Sequence, residues 1–206
     1  MILALDTSGG ELLICLLADD LSVVASVCLP GRRHQEGILA VVEEVLGGRR
    51  EVARLTSIAV VRGPGSQTGL RVGMAAAEGL AFASRRPLLP LSSLSVAAHR
   101  AVTDGDVLAA VSAGRSNVFV RRFRARGSER IPVGARLLSG PAAVRAQLSG
   151  EPAVQLAAEP ALMDTFCDSL PVRVNTGVQA LAAATREAVG NGVAVSYHQL
   201  TGDYGE

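Results

Sequence analysis

Three strand-sized apolar runs, separated by brief polar turns, open the chain. They cover residues 2–8, 11–19 and 21–30. Short apolar runs joined by tight turns are typical of antiparallel hairpins. The pattern therefore predicts a three-strand meander at the start of the fold.

Helical and strand-like patterns then alternate up to about residue 100. Apolar residues recur at helical spacing over 38–46, and Gly47 ends this pattern. The β-branched run 55–61 predicts a buried parallel strand, and the spacing over 68–84 predicts a second helix. A further short strand and a helix complete this half, so its predicted order is β-β-β-α-β-α-β-α.

The second half repeats this order. The predicted strands are 106–113, 117–125, 130–139, a segment within 151–159, and 171–175, and the predicted helices are 140–150, 160–170 and 176–192. Two successive units of this kind predict an α/β, duplicated ribonuclease-H-like fold with two lobes. We expect the N-terminal lobe at 1–101 and the second lobe at 102–206.

Composition favours a globular chain. Apolar residues make up 49% and charged residues 19%, which is enough apolar surface for a core. No apolar run approaches the roughly 20 residues of a membrane span. Three cysteines without a CxxC pair, and no recognisable signal peptide, favour free thiols in a reducing cytoplasm. Cys15 and Cys28 lie inside apolar runs, so we expect both to be buried.

All 20 basic residues are arginine. The absence of lysine excludes Schiff-base catalysis, a lysine general base and the lysine of a phosphate-binding P-loop. The net charge of +1 gives no overall attraction to nucleic acid. One basic stretch, 118–130, combines arginines with two phenylalanines, and it is either a solvated hairpin or a minor RNA contact.

A glycine-rich turn, GPGSQTGLR at 63–71, lies between the predicted strand 55–61 and helix 68–84. It fails the dinucleotide fingerprint, because Thr68 stands where the third glycine belongs, and it has no P-loop lysine. It also fails the nucleophile-elbow pattern around Ser66. Three interpretations stay open: a turn that caps the helix, an anion near the helix amides, and a role in shaping a partner surface.

One face of the second predicted helix is lined by small and apolar residues. One stripe holds Gly69, Gly73, Ala77 and Leu80, and an adjacent apolar stripe holds Leu70, Met74 and Ala81. Glycine inside a helix costs about 1 kcal/mol relative to alanine, and close packing usually offsets this cost. The closely packed neighbour is either the chain's own sheet or a helix of another subunit.

Four segments, in this order, resemble the TsaB (YeaZ) family. They are ILALDTS (2–8), RRHQE (32–36), RGPGSQTGLRVGMAAAEGLAFA (62–83) and PLLPLSSLSVAA (87–98). The resemblance is specific up to about residue 100 and weak beyond residue 105. The family belongs to the actin-like, sugar-kinase-like ATPase superfamily, which agrees with the duplicated pattern.

The resemblance implies a scaffold subunit with no catalysis of its own. Members of the family bind TsaD, which transfers a threonylcarbamoyl group to N6 of the adenosine next to the anticodon in ANN-decoding tRNAs. The complex recruits TsaE, and isolated members form homodimers through the same surface. Contact with tRNA is expected to be indirect, and ATP and metal are expected to belong to the partner subunits.

The implied partner surface comprises the helices at 34–47 and 68–84. Its predicted interface residues are Ile38, Val42, Leu70, Gly73, Met74, Ala77 and Leu80. On this assignment, Gly73→Arg is expected to block heterodimerisation and to leave the monomer folded.

The cofactor sites of the superfamily are incomplete in this sequence. TsaD holds a metal with two histidines at i and i+4, whereas here His34 is followed by Ile38, so no metal site is expected. Asp6-Thr7-Ser8-Gly9 corresponds to the first phosphate turn, which we expect to be vestigial, with no catalytic residue. Ser112 stands at the second-lobe turn where an acidic residue is usual. The alternative is a stand-alone small ATPase or glycoprotease-like hydrolase of the same superfamily.

Overall fold

A computed structural model describes residues 1–30, 37–114, 117–151, 153–166 and 176–203. The elements of the first half are β1 (Ile2–Asp6), β2 (Glu11–Leu17), β3 (Val23–Pro30), α1 (Ile38–Leu46), a 3-10 helix (Arg49–Arg54), β4 (Ser57–Val61), α2 (Gln67–Ser84), β5 (Leu88–Leu91) and α3 (Ser93–Ala98). The elements of the second half are β6 (Gly105–Gly114), β7 (Asn117–Arg126), β8 (Glu129–Ser139), α4 (Pro141–Gly150), β9 (Gln155–Ala158), α5 (Pro160–Phe166), α6 (Gly177–Gly190) and a 3-10 turn (Tyr197–Gln199).

Two sheets with the same arrangement form the two lobes. The first has the order β3-β2-β1-β4-β5, with an antiparallel meander and with β4 and β5 parallel to β1. The second has the order β8-β7-β6-β9, with β9 parallel to β6. A meander followed by parallel strands is the ribonuclease-H-like topology. The first sheet shows it with two parallel strands and the second with one among the described residues, which confirms the predicted α/β fold. The further strand predicted at 171–175 lies outside the described residues.

The centre of the first sheet is fully covered. Every residue of β1 and β4 is buried, because α1, α2 and α6 all pack against this sheet. Strands covered by helices read as continuous apolar runs, which explains why both were recognisable from the sequence. The sheet therefore holds the turn after β1 on a rigid base.

Helix α6 packs against the first sheet, although the expected boundary places it with the second lobe. Leu181 lies in the first-lobe core, and Gly177 lies so close to Leu13 of β2 that a Cβ there would come within 2.8 Å of the leucine side chain. The chain beyond α6 stays with this lobe, where Val195 pairs with Leu88 of β5. Both sheets need an apolar helix to cover them, and the sequence pattern does not say which sheet α6 serves.

The helix ends agree with the sequence signals at two places. The Ser66 hydroxyl accepts a hydrogen bond from the Gly69 N–H at 3.3 Å, so the turn caps α2, which is one of the three interpretations of the glycine-rich turn. Gly47 ends α1 in the left-handed region at φ 78°. At the end of α2, however, Arg85 takes a left-handed conformation (φ 55°) without any glycine signal.

The two cysteines in the first sheet differ in exposure. Cys15 is buried as expected, whereas Cys28 is exposed because it lies on the edge strand β3, where alternate residues face solvent. Cys167 lies outside the described residues. Among the described helices, none combines the length and the apolar character needed to span a bilayer.

Candidate functional site

The turn after β1 satisfies its own polar groups. Asp6 is buried, and its Oδ1 accepts hydrogen bonds from the Ser8 N–H at 2.8 Å and the Ser8 hydroxyl at 2.6 Å. The Thr7 hydroxyl donates to the Gly69 carbonyl of α2 at 2.7 Å. The predicted phosphate turn, Asp6 to Gly9, is therefore a turn capped by its own side chains.

Glu159 reaches this turn from the second lobe. Its Oε2 accepts a hydrogen bond from the Gly10 N–H at 2.8 Å. The same oxygen lies over Gly9, where a Cβ would overlap it. Glu159 is not among the predicted site residues, because an acidic group of the second lobe was expected only at the turn that carries Ser112. One signal in the sequence could have identified Glu159: an acidic residue at the end of the strand predicted within 151–159. Ligand sites of α/β sheets lie at the carboxyl ends of the parallel strands, so a side chain in this place is a candidate.

Burial sets the electrostatics of the two carboxyl groups. It raises the pKa of Asp6, against the opposing effects of the hydrogen bonds within the turn and of Arg100. Burial also raises the pKa of Glu159, and the nearby Asp6 raises it further. Arg100 is itself buried and pairs with Glu11 at 3.2 Å. The carboxyl groups of Asp6, Glu11 and Glu159 therefore lie around a single guanidinium, that of Arg100.

The glycine-rich turn before α2 packs directly onto the turn after β1. The Ser66 N–H donates to the Ser8 carbonyl at 2.9 Å, and a Cβ at Gly65 would come within 2.7 Å of the same carbonyl oxygen. The Ser93 hydroxyl donates to the Pro64 carbonyl. Glycine is therefore required by close approach of two backbones, which supports the turn-and-cap interpretation.

A cleft of about 520 Å³ lies beside these two turns, between the lobes. Its volume is in the range of nucleotide pockets. Three donors of the turn are already in use, however: the Gly10 N–H is bonded to Glu159, and the hydroxyls of Thr7 and Ser8 donate elsewhere. Among the described residues that line the cleft, none carries a positive charge.

The positions considered for a metal are not brought together. In the described part of the chain, no group of three or more His, Cys, Asp or Glu side chains could hold a metal ion. His34 lies outside the described residues, and the Ile38 side chain is buried in the first-lobe core. His99 is buried and lies 2.9 Å from the Glu187 carboxylate.

The predicted interface residues lie mainly inside the chain's own core. Six of the seven are buried, namely Ile38, Val42, Leu70, Gly73, Met74 and Ala77. A Cβ at Gly73 would overlap the Thr7 hydroxyl, so the small-residue stripe packs against the chain's own sheet. This burial argues against the six residues as a partner surface, and Gly73→Arg is now expected to disrupt the fold itself. Leu80 is half-buried and keeps part of its side chain at the surface.

The other side of α2 and the adjoining part of α1 expose apolar surface. Leu39 of α1 is 58% exposed and Phe82 of α2 is 65% exposed. Ala75 and Gly79 lie on the same exposed stripe as Phe82. Leu39 and Leu80 line a groove of about 410 Å³ beside α1. We call Leu39, Ala75, Gly79, Leu80 and Phe82 the α1–α2 face.

The basic stretch 118–130 forms most of a strand and a hairpin. Phe119 and Phe123 are buried in the second-lobe core, so their rings are not available to stack on bases. Arg122 pairs with Glu151 at 2.6 Å. The arrangement favours the hairpin interpretation over an RNA contact.

Comparison with known proteins agrees with this architecture. The sequence model of the family described as "TsaD: tRNA N6-adenosine threonylcarbamoyltransferase" matches residues 28–199. The chain is 34% identical over 122 residues to the tRNA threonylcarbamoyladenosine biosynthesis protein TsaB of Haemophilus influenzae, covering 57% of this chain and 51% of that protein. It is also 34% identical over 127 residues to TsaB of Escherichia coli, covering 60% and 54%. The chain thus spans about half the length of the curated relatives it matches.

Structural comparison extends the likeness to both lobes. YeaZ from Pseudomonas aeruginosa superposes with a TM-score of 0.78 at 25% identity, and the alignment covers 98% of each chain. The family match, the TsaB relatives and this structural neighbour all agree. The chain therefore belongs to the TsaD family, on its TsaB (YeaZ) branch.

Proposed function

We propose that the chain is a non-catalytic scaffold subunit for tRNA threonylcarbamoyladenosine biosynthesis. In this role it binds TsaD and, through that complex, TsaE, for modification of N6 of the adenosine next to the anticodon in ANN-decoding tRNAs. The names of its relatives support the process, and the exposed α1–α2 face supports the partner. In this proposal the chain contacts tRNA only through its partners. The modification takes place in the cytoplasm.

The α1–α2 face is the observation that carries the partner assignment. Full burial of a large apolar side chain stabilises by about 1.5–3 kcal/mol. Leu39 and Phe82 are more than half exposed, so covering both leaves about 2–4 kcal/mol to be gained on binding. Ala75 and Gly79 on the same face have very small side chains or none, so a partner helix can approach the α2 backbone closely. TsaD is of the same family, so a matching pair of helices is the expected occupant.

The arrangement of the cleft supports a non-catalytic role. The turn after β1 directs its hydroxyls inward, and Glu159 occupies the Gly10 N–H. Arg100 is paired with Glu11. The two hydroxyls, the Gly10 N–H and Arg100 are thus engaged within the chain, where an ATPase needs such groups free for phosphate and metal.

Co-expression with TsaD of the same organism, followed by size exclusion, tests the proposal. We expect the wild-type chain to co-elute with TsaD. Leu39→Asp and Gly79→Arg should abolish co-elution and leave the monomer folded, since Leu39 is largely exposed and no atom lies within 4 Å of a Cβ at Gly79. Leu137→Asp on β8 is the matched control, because Leu137 is also 58% exposed.

Two results would contradict the partner assignment. One is co-elution that survives both face variants, and the other is co-elution that is lost in Leu137→Asp alone. Light scattering on the isolated chain tests the homodimer separately. If the homodimer uses the same face, Gly79→Arg converts it to a monomer and Leu137→Asp does not.

A further inference from the structure

The Glu159 carboxylate of the second lobe lies on the turn after β1. We propose that Glu159 is an internal substitute for a phosphate: its carboxylate occupies the anion position of this turn, joins the two lobes and keeps nucleotides out of the cleft. The inference goes beyond the proposed scaffold role, and its test does not involve TsaD.

The geometry places one carboxylate oxygen on the turn. Glu159 Oε2 accepts the Gly10 N–H at 2.8 Å, from a position 149 residues further along the chain. The same oxygen fills the space above Gly9, which has no room even for a Cβ. Backbone N–H groups of glycine turns bind anions in this way, and a carboxylate oxygen and a phosphate oxygen compete for the same donor.

The position of Glu159 is fixed by its surroundings. It directly follows the buried Ala158 of β9, and its carbonyl oxygen accepts hydrogen bonds from the N–H groups of Leu162 and Met163, each at 3.0 Å. The carboxylate is therefore tethered beside the turn, where an intramolecular group acts at an effective concentration in the millimolar range or above. A free phosphate compound must displace it before it can bind.

The charge around the turn adds to this exclusion. The charged groups that interact electrostatically with the Glu159 carboxyl are Asp6 on β1, Glu11 on β2 and Arg100 after α3. Arg100 is already paired with Glu11. An entering phosphate would meet three carboxyl groups arranged around one guanidinium in a partly buried site, where repulsion between like charges is strong.

Titration with Mg²⁺–ADP, followed by calorimetry, tests the inference. We expect no binding to the wild-type chain at millimolar ligand. Glu159→Ala frees the Gly10 N–H and the space above Gly9, so its affinity should rise at least tenfold. Glu159→Gln should behave like the wild type, because the amide oxygen can accept the same hydrogen bond and fill the same space. Glu129→Ala on β8 removes an exposed glutamate and serves as the control.

Three results would overturn the inference: equal binding to the wild-type chain and Glu159→Ala, no binding to Glu159→Ala, or equal binding to Glu159→Ala and Glu159→Gln. The third would mean that charge alone, and not occupancy, excludes the nucleotide. Thermal melting verifies that each variant is folded. If Glu159→Ala does not fold, Glu159→Ser takes its place, because serine is short and is favoured at the position before a helix.

Discussion

The stability of the Gly73→Ala variant shows whether the Gly73 face of α2 is buried against the chain's own turn. The glycine lies over the turn after β1, and a Cβ at this position would overlap the Thr7 hydroxyl. That hydroxyl donates to the Gly69 carbonyl at 2.7 Å and so ties β1 to α2. In Gly73→Ala the hydroxyl must move, and we expect the hydrogen bond to be lost.

The magnitude follows from three terms. Alanine in place of glycine gains about 1 kcal/mol of helix propensity. Loss of the Thr7 hydrogen bond costs about 0.5–1.5 kcal/mol, and overpacking costs about 1–3 kcal/mol. The free energy of unfolding should therefore fall by about 0.5–3.5 kcal/mol, and a fall of about 2 kcal/mol lowers the melting temperature of a chain of this size by about 4–8 °C.

The measurement is urea and thermal unfolding of four variants. Gly79→Ala is the matched control on the exposed side of the same helix, where a Cβ meets no atom within 4 Å, so it should be stabilised by up to about 1 kcal/mol. Thr7→Ala combined with Gly73→Ala should recover stability beyond the sum of the single changes, because the remaining Thr7 Cβ would lie 3.4 Å from the added carbon. If Gly73→Ala is stabilised as much as Gly79→Ala, Gly73 is not packed against the turn after β1, and the buried position assigned to it is wrong.

Three further predictions concern the cleft and its turns. The pKa of Glu159 is raised above 4.5 in the folded chain, so the folded state holds its proton to higher pH than the unfolded state does. The wild-type chain therefore loses stability as pH rises through that raised pKa. In urea unfolding across pH, the stability gained by Glu159→Gln over the wild type should be largest at pH 7 and above and smallest below pH 4.5. An unchanged difference at all pH values would contradict this. Ser66→Ala removes the cap of α2 and should cost about 1 kcal/mol in the same assay, while Ser66→Asp should cost little. ATP hydrolysis by the purified chain should be no faster than hydrolysis by the Asp6→Ala variant. Clear turnover by the wild-type chain that vanishes in Asp6→Ala would favour the enzyme alternative.

The elements of the fold could be predicted because their signals are local. The continuous apolar runs of β1 and β4 follow from strands covered by helices. The helix over 67–84 has a serine cap at its start, and the turn over 63–66 has glycines where two backbones meet. Such signals depend on neighbouring residues in the chain, so one sequence is sufficient to find them.

The site could not be predicted in the same way, because its contacts are distant in sequence. Small residues on α2 suit a sheet and a partner helix equally well, and only the position of Thr7 beneath Gly73 decides between the two. The bond between Gly10 and Glu159 spans 149 residues. Helix α6 is amphipathic and could cover either sheet, so its place beside Leu13 also had no local signal.

Binding of TsaD to the α1–α2 face can be measured by hydrogen exchange of the chain, followed by mass spectrometry with and without TsaD. We expect slower exchange in peptides over 37–47 and 67–84, with no change over β8 at 129–139. Protection confined to β8 or to the cleft, with α1 and α2 unchanged in a complex that forms, would contradict it.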